Sequence, residues 1–546
     1  MKKSAEILLG ILICFMVIGG VYYWATSLMD SIYAYRSPLH ASPPKAGDVL
    51  GTPNTRSLVI VLIDALRYDT SLKSDVMPFL NQLSSKGASA VMHSQPPSYS
   101  APGYSVLLTG AWPDISDGPA MNLEYEDIPA FTQDNLFSAA YRAGLKAAIS
   151  GFNWFEKLVP QQAVSASFYT AGEDQVADRQ VVNAALPWLQ SGEYPLVLIH
   201  LDQVDYAGHY EGGPIDPRWN AAATRADNLL KEIATTMDLS QDTLLVISDH
   251  GQIDVGGHGG QDPVVLVEPF VLVGKGAIAG NYGNVQMVDV APTVAAILGM
   301  NIPASSQGHP QIAMFDFSLM QVNKIKAGLS MQQQQLATNY SAAINQPVKP
   351  IQSGDVVSDT QNSMNAAKNR LLTIQMIPRS IIAIIAGFLL ITLVAWYARP
   401  DYHWMMAGVV VYLTIFNIKY LIFDHKTFSL SSVTSATDLI YSAAFTTLIA
   451  LFFAWIMVIL GTKIYHYKPR RVTKFTLKFI FTVLSILAIP VLVHYAIDGA
   501  VVTWALPNFL ISFLGLLFLI QCLMVAAIGL FFTAISPLIG YFAHGK

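Results

Sequence analysis

Charge is scarce in this chain. Only 13% of its 546 residues are Asp, Glu, Lys or Arg, against 53% that are hydrophobic. With a mean hydropathy of +0.41, that scarcity excludes an ordinary soluble protein. Cysteine is almost absent as well: Cys14 and Cys522 both fall in apolar runs, so there is no disulfide framework and cysteine usage leaves the compartment open. Missing too is any long Lys/Arg run interleaved with aromatics. At a formal net charge of −5 the chain has no electrostatic footprint for nucleic acid. Finally, the apolar run 7–23 behind Met1-Lys2-Lys3 is not followed by a small-x-small cleavage site, which favours a retained anchor over a signal peptide.

The apolar residues are unevenly spread. Residues 56–308 have the composition and size of a single globular domain, whereas the chain is apolar almost throughout from residue 377. Five membrane spans of roughly 20 or more residues fit the C-terminal part: near 377–398, 404–423, 438–461, 475–497 and 504–535. The loop TKIYHYKPRRVTK between the third and fourth of these is strongly basic, as is Lys2-Lys3. The positive-inside rule puts both in the cytoplasm, and counting spans from either leaves the globular domain extracytoplasmic. The expected order is an anchor (1–30), a Pro/Gly-rich tether (31–55), a globular domain (56–310), a linker with an amphipathic helix (311–376) and a membrane domain (377–546).

Within the globular domain, strand and helix patterns alternate. VIVLI, PLVLIHL, TLLVI and PFVLV read as strands; MPFLNQLSSKG, GYSVLLTG, FSAAYRAG, NAAATRADNLLKEIATTM and DVAPTVAAILG read as helices. That alternation predicts an α/β fold with a mostly parallel sheet flanked by helices on both faces.

In VIVLIDALR, LVLIHLDQVDYAGH and TLLVISDHGQIDVGGHGG an apolar run ends abruptly in acid or His, as parallel strands do when they deliver ligands at their carboxyl ends. Asp64 ends the first run. Asp205 and His209, four residues apart, can reach one ion from a single turn. Asp249 and His250 offer one oxygen and one nitrogen. His258, between two glycine pairs, sits on backbone that permits close approach to a ligand. Singly, each has a bland alternative as a helix cap or a satisfied structural histidine. Together, and with Ser100 in the turn PPSYSAPGYS, they suit zinc or manganese, and two such ions can clamp both oxygens of an in-line phosphoryl displacement.

The stretch 97–110, PSYSAPGYSVLLTG, resembles the nucleophile turn of the alkaline phosphatase superfamily. It is most similar to the branch holding the nucleotide pyrophosphatases/phosphodiesterases and the GPI ethanolamine phosphate transferases, where the turn runs Pro-Thr-x-Thr-x-Pro and closes on Thr-Gly. DYAGH, SDHG, GGHG and VDVAPTVAAILGMNIP extend the resemblance over nearly all of 56–308. It implies an alkaline-phosphatase-like fold with Ser100, where those relatives usually carry Thr, as the nucleophile of a phospho-enzyme. It further implies two divalent ions, zinc or manganese, sharing the Ser100 oxygen: one held by Asp205, His209 and His258, the other by Asp64, Asp249 and His250. With a one-residue shift Asn122 falls where that branch places an Asn donating to a non-bridging phosphate oxygen. Sulfatases need Cys-x-Pro-x-Arg or Ser-x-Pro-x-Arg, and Tyr104 stands where Arg would be. Few Arg or Lys beyond Arg67 lie in the motif segments, which favours diesters over doubly charged monoesters.

The expected activity is therefore a membrane-bound, metal-dependent phosphodiesterase or phosphoethanolamine-like transferase acting on a lipid or lipid-linked phosphodiester. The alternatives are an anchored nucleotide pyrophosphatase/phosphodiesterase or phosphatase, and a non-catalytic membrane scaffold. GPI ethanolamine phosphate transferases resemble the layout but typically carry more C-terminal spans. Polar residues in or near the spans, among them Asn417, Lys419, Asp438, His494 and Asp498, suggest either lipid headgroup contacts or snorkelling side chains.

Overall fold

The computed structural model describes residues 2–349 and 354–544. Met1, residues 350–353 inside the expected linker, and residues 545–546 lie outside the described residues. The chain divides into two compact units: Met1–Ile32 with Leu372–Thr503 and Pro507–Lys546, and Tyr33–Leu371 with Trp504–Leu506.

The second unit is built on an eight-stranded sheet. Its strands are β1 (Leu58–Ile63), β2 (Ala88–His93), β3 (Ala147–Phe152), β4 (Ala166–Thr170), β5 (Leu196–Leu201), β6 (Thr243–Ile247), β7 (Val267–Gly274) and β8 (Gly280–Gln286). They lie in the order β4-β3-β5-β1-β6-β7-β2-β8. All pairings are parallel except those of β7 with β6 and with β2. The expected mostly parallel sheet is thus found, with β7 as its one reversed strand. Every residue of β1, β5 and β6 is buried, as a strand covered on both faces requires. Alternate side chains feed two cores: Leu58, Ile60 and Leu62 enter one, Val59, Val61 and Ile63 the other. The pairings of β1 with β5 and β6 bring the carboxyl ends of all three to one edge of the sheet.

Segments flanking this core are more tightly held than their composition suggests. In the stretch read as a tether, Arg36 and His40 both bond Asp117, and Leu39 is fully buried. In the stretch read as a linker, the helix Leu319–Ala343 starts with a capping box at Ser318 and Gln321. Its Gln332 and Gln333 are buried and donate to the Ser306 carbonyl at 2.9 and 2.8 Å; Gln332 also reaches the Ala304 carbonyl at 2.9 Å. A second helix, Val356–Tyr397, begins about twenty residues before the apolar run does. Lys368 on its first half pairs with Asp114 at 2.7 Å.

The other unit is helical. Among the described residues six helices are long and apolar enough to cross a membrane: Glu6–Tyr33, Val356–Tyr397, Tyr402–Phe423, Thr437–Thr462, Pro469–Ile497 and Phe509–Ala543. The last starts beyond Trp504 because Pro507 interrupts the chain and Asn508 caps the helix through Ile511 N–H. Some polar residues of this region are paired, whereas the buried His494 ring has no hydrogen-bond partner among the described residues. Lys419 pairs with Asp424 and Lys426 with Asp438, both at 2.7 Å, while Asn417 donates to the Leu413 carbonyl.

Replacing Gln332 by Leu leaves the Ala304 carbonyl buried without its donor, a loss of about 1–3 kcal/mol. Thermal unfolding of the detergent-solubilised protein should show a lowered midpoint for the sheet-containing unit. An unchanged midpoint would mean the helix docks through its apolar residues alone.

Candidate metal centre and nucleophile

Three adjacent strands deliver the acids. Asp64 follows β1, Asp202 and Asp205 follow β5, and Asp249 with His250 follow β6. Directly after Asp64, Ala65 holds a positive φ of 58°, a left-handed conformation that disfavours side chains. It lets the Ala65 N–H reach Asp249 Oδ1 at 3.2 Å.

Each of the three expected ligand carboxylates has one oxygen fixed by a donor. Asp249 Oδ1 takes the Ala65 N–H. Asp205 Oδ1 takes the Gln252 amide at 2.6 Å. Asp64 Oδ2 takes the Tyr104 hydroxyl, with His200 Nε2 at 2.9 Å from the same oxygen. The other oxygens face the imidazoles. Asp64 Oδ1 and Asp249 Oδ2 are buried without a hydrogen-bond partner among the described residues and lie 3.5 and 3.4 Å from His250 Nε2. Asp205 Oδ2 lies 3.3 Å from His209 Nε2. Two of the imidazoles are also oriented from behind: His250 Nδ1 bonds the Gly251 carbonyl and His258 Nδ1 the Ser98 carbonyl, both at 3.0 Å, so each Nε2 lone pair points inward. His209 Nε2 stands 2.9 Å from His258 Nε2. The rings of His250 and His258 stack at 3.9 Å.

All six expected ligands are therefore together. Asp64, Asp249 and His250 present ligand atoms within 4.8 Å of one another, as do Asp205, His250 and His258. His250 borders both groups, and His209 joins the second through Asp205 and His258. Like charge and burial push the acids apart in acidity. Burial, reinforced by Asp64, raises the Asp249 carboxyl well above the usual carboxylate range. Burial opposes ionisation of Asp205 too, but His209 and His258 outweigh it and hold that carboxyl low; Asp205 in return raises His209 to about 9. Buried carboxylate oxygens without donors, facing imidazole lone pairs, are a donor set that fits hard-to-borderline divalent cations.

Ser100 stands at the first position of the helix Ser100–Thr109, beside His250. Its Oγ is 3.2 Å from His250 Nε2. Asn122 accepts the Ala101 N–H at 3.1 Å through Oδ1, which leaves its NH2 as the end able to donate beside the nucleophile. Close packing makes the glycines here irreplaceable. A Cβ on Gly208 would lie 1.7 Å from Gln252 Oε1, and one on Gly259 (φ +106°) would enter the Tyr99 ring. Ser98 joins the nucleophile turn to the GGHGG loop, donating to the Gly260 carbonyl and accepting the Gly259 N–H.

Residues 58–117 and 120–353 match the sequence profile of the type I phosphodiesterase / nucleotide pyrophosphatase family. The chain belongs to this family. Among the chain's curated relatives, human GPI ethanolamine phosphate transferase 2, catalytic subunit, is 30% identical over 293 residues, 49% of this chain and 29% of that one. The human GPI ethanolamine phosphate transferase 3 catalytic subunit is 24% identical over 355 residues, 58% of this chain and 32% of that one. GPI ethanolamine phosphate transferase 2 of Candida albicans is 25% identical over 285 residues, 48% and 32%. The chain thus spans about a third of the length of these relatives. Among solved structures, human ectonucleotide pyrophosphatase / phosphodiesterase 5 aligns with a TM-score of 0.38 at 13% identity, over 45% of this chain and 95% of that one.

Several residues of the candidate site were not singled out by sequence. His200 and Asp202 form a further buried group with Asp64; the signal was a lone histidine inside the apolar strand LVLIHL. Tyr104 and Gln252, which hold the back oxygens of Asp64 and Asp205, carry no signal that separates them from core residues. Arg67 is engaged elsewhere, with Asp69, with Asp254 at 2.7 Å and with the Gln252 carbonyl.

Tyr104→Phe keeps the ring and removes the donor to Asp64. Metal affinity should fall about 10- to 100-fold, read from zinc or manganese retained after dialysis against buffers of fixed free metal. Equal retention would show that Tyr104 serves packing only.

Proposed function

We propose that this protein is a membrane-bound, metal-dependent phosphodiesterase or phosphoethanolamine-type transferase whose substrate is a lipid or lipid-linked phosphodiester. The observation that carries this reading is the paired state of the three carboxylates: one oxygen of each is held by a donor and the other turned toward inward-facing imidazoles, around Ser100. In this reading Asp64, Asp249 and His250 hold one divalent ion and Asp205, His209 and His258 a second, zinc or manganese. When bound, these ions supply positive charge for the attacking and leaving oxygens.

The chain's own residues do the rest. The Asn122 amide, held by the Ala101 N–H beside Ser100, orients the phosphate for in-line attack. The Ser100 Oγ–phosphorus bond forms as the bond to the first alcohol breaks, and the serine proton departs with that alcohol. A second alcohol, or water, then takes the phospho group from Ser100 and restores the hydroxyl. The relatives named as ethanolamine phosphate transferases favour an alcohol acceptor. Arg67, tied to Asp69 and Asp254, is not offered to the substrate, which suits a singly charged diester better than a monoester.

The proposed orientation has the catalytic unit extracytoplasmic and the N-terminus cytoplasmic. It is supported by the ion pair of Glu6 with Lys474, which brings the start of the first helix beside the basic loop.

Purified protein supplied with zinc or manganese should cleave a chromogenic phosphodiester faster than the matching monoester, and a chelator should stop it. Added alcohol acceptor should raise turnover if transfer is the native reaction. Monoester preference would convert the reading to a phosphatase, and stimulation by water alone to a hydrolase. Ser100→Ala should lower turnover by more than about 10³-fold while metal content is retained. Loss of metal or of folding in that variant would assign Ser100 a structural role instead.

A further inference from the structure

The helical unit contains a groove that the proposed chemistry does not use. The first two spans are the most loosely packed: 6% of the apolar window of Glu6–Tyr33 and 11% of that of Val356–Tyr397 are buried, against 56% and 67% for the last two. Where these two helices meet Pro469–Ile497 they leave a cavity of about 670 Å³, walled by Ile13, Leu393, Trp396, Phe481 and Leu484. A second cavity of about 350 Å³ shares Ile13, Phe481 and Leu484 and continues to Trp24 and Val491. From Glu6 to Trp24 is eighteen residues, roughly 27 Å at the helical rise, close to the ~30 Å of a bilayer's hydrocarbon core.

The two ends differ in chemistry. At the far end the Trp24 indole donates to the Ala500 carbonyl at 2.8 Å. At the near end the rim is Glu6 and Lys478, with Lys474 bonded to Glu6. Lys478 bonds the Arg399 carbonyl at 2.9 Å and lies 5.5 Å over the Tyr397 ring. Among the described residues no carboxylate pairs with Lys478, so its charge is not neutralised. Arg471, over Tyr467 at 3.9 Å, belongs to the same basic turn. An apolar slot that opens at one end beside Lys478 is complementary to an amphiphile with an apolar chain and an anionic head.

We propose that this groove binds an acidic phospholipid, its acyl chain between the first, second and fifth spans and its phosphate at Lys478. The residues lining both cavities all belong to the helical unit and none to the unit that carries Ser100, so the lipid proposed here is a resident one and not the substrate.

The test uses the full chain in mild detergent, doped with equal amounts of phosphatidylglycerol and phosphatidylcholine of matched chains, with retained lipid identified by native mass spectrometry. Phosphatidylglycerol should be enriched. Lys478→Gln should reduce that preference about fivefold, the value of one charge at a membrane surface. Ile13→Trp should abolish retention of both lipids. Should Ile13→Trp fail to fold, phosphatidylglycerol brominated on its chain should quench a fluorescence component in the parent protein that is missing from Trp396→Phe. Equal retention of the two lipids, a preference untouched by Lys478→Gln, or quenching that does not involve Trp396 would each overturn the proposal.

Discussion

An ionised carboxylate in a closed site costs several kcal/mol unless opposite charge or donors meet it, and this protein places Asp64, Asp205 and Asp249 together at the ends of neighbouring strands. The surrounding structure answers that cost for all three from behind, and His209 answers it for Asp205 from within. Tyr104, Gln252 and the Ala65 backbone each satisfy one carboxylate oxygen, and what remains on the inner side is an acceptor-rich hollow. Such an arrangement fits a divalent cation, and the left-handed Ala65 backbone and the close glycine contacts around Gln252 and Tyr99 hold it in shape.

The sheet makes that geometry reproducible. With β1 buried on both faces between β5 and β6, a shift of register would expose an entire apolar set to the wrong core, so the ends of the three strands are fixed relative to one another by the same packing that stabilises the unit. Precision at the site is a by-product of the cores formed by Leu58, Ile60 and Leu62 on one face and Val59, Val61 and Ile63 on the other. The supporting residues act from outside this frame, Ser98 by tying the nucleophile turn to the glycine-flanked His258.

The legible part of this structure was the part written in local contrast. An apolar run broken by Asp or His marks a strand end, and Asp64, Asp205, His209, Asp249, His250 and His258 lie together, with Ser100 beside His250 and Asn122 bonded to the residue after it. The spans were legible for the same reason, through length and hydropathy. Contrast fails where partners are distant in sequence. Nothing in PFVLV announces that β7 runs against its neighbours, and Gly280–Gln286, with two glycines and two asparagines, lacks the composition of a strand and forms one only beside β2. The glutamine-rich stretch reads as polar linker because amides are usually solvated, yet Gln332 and Gln333 are buried by carbonyls that only the folded unit supplies. Tyr104 and His200 were hidden in the same way: both look like core residues until the Asp64 carboxylate between them is seen.

The ion pair between Glu6 and Lys474 joins residues 468 positions apart. During synthesis the first helix therefore waits for its partner. At about 5–20 residues per second, roughly 25 to 95 seconds separate the two ends of that contact, and the whole sheet-containing unit is made in the interval. The N-terminal helix spends that time in the bilayer held by its apolar run. Its run of apolar residues is then a requirement of biogenesis, and its seat beside the fifth span records the last step of assembly.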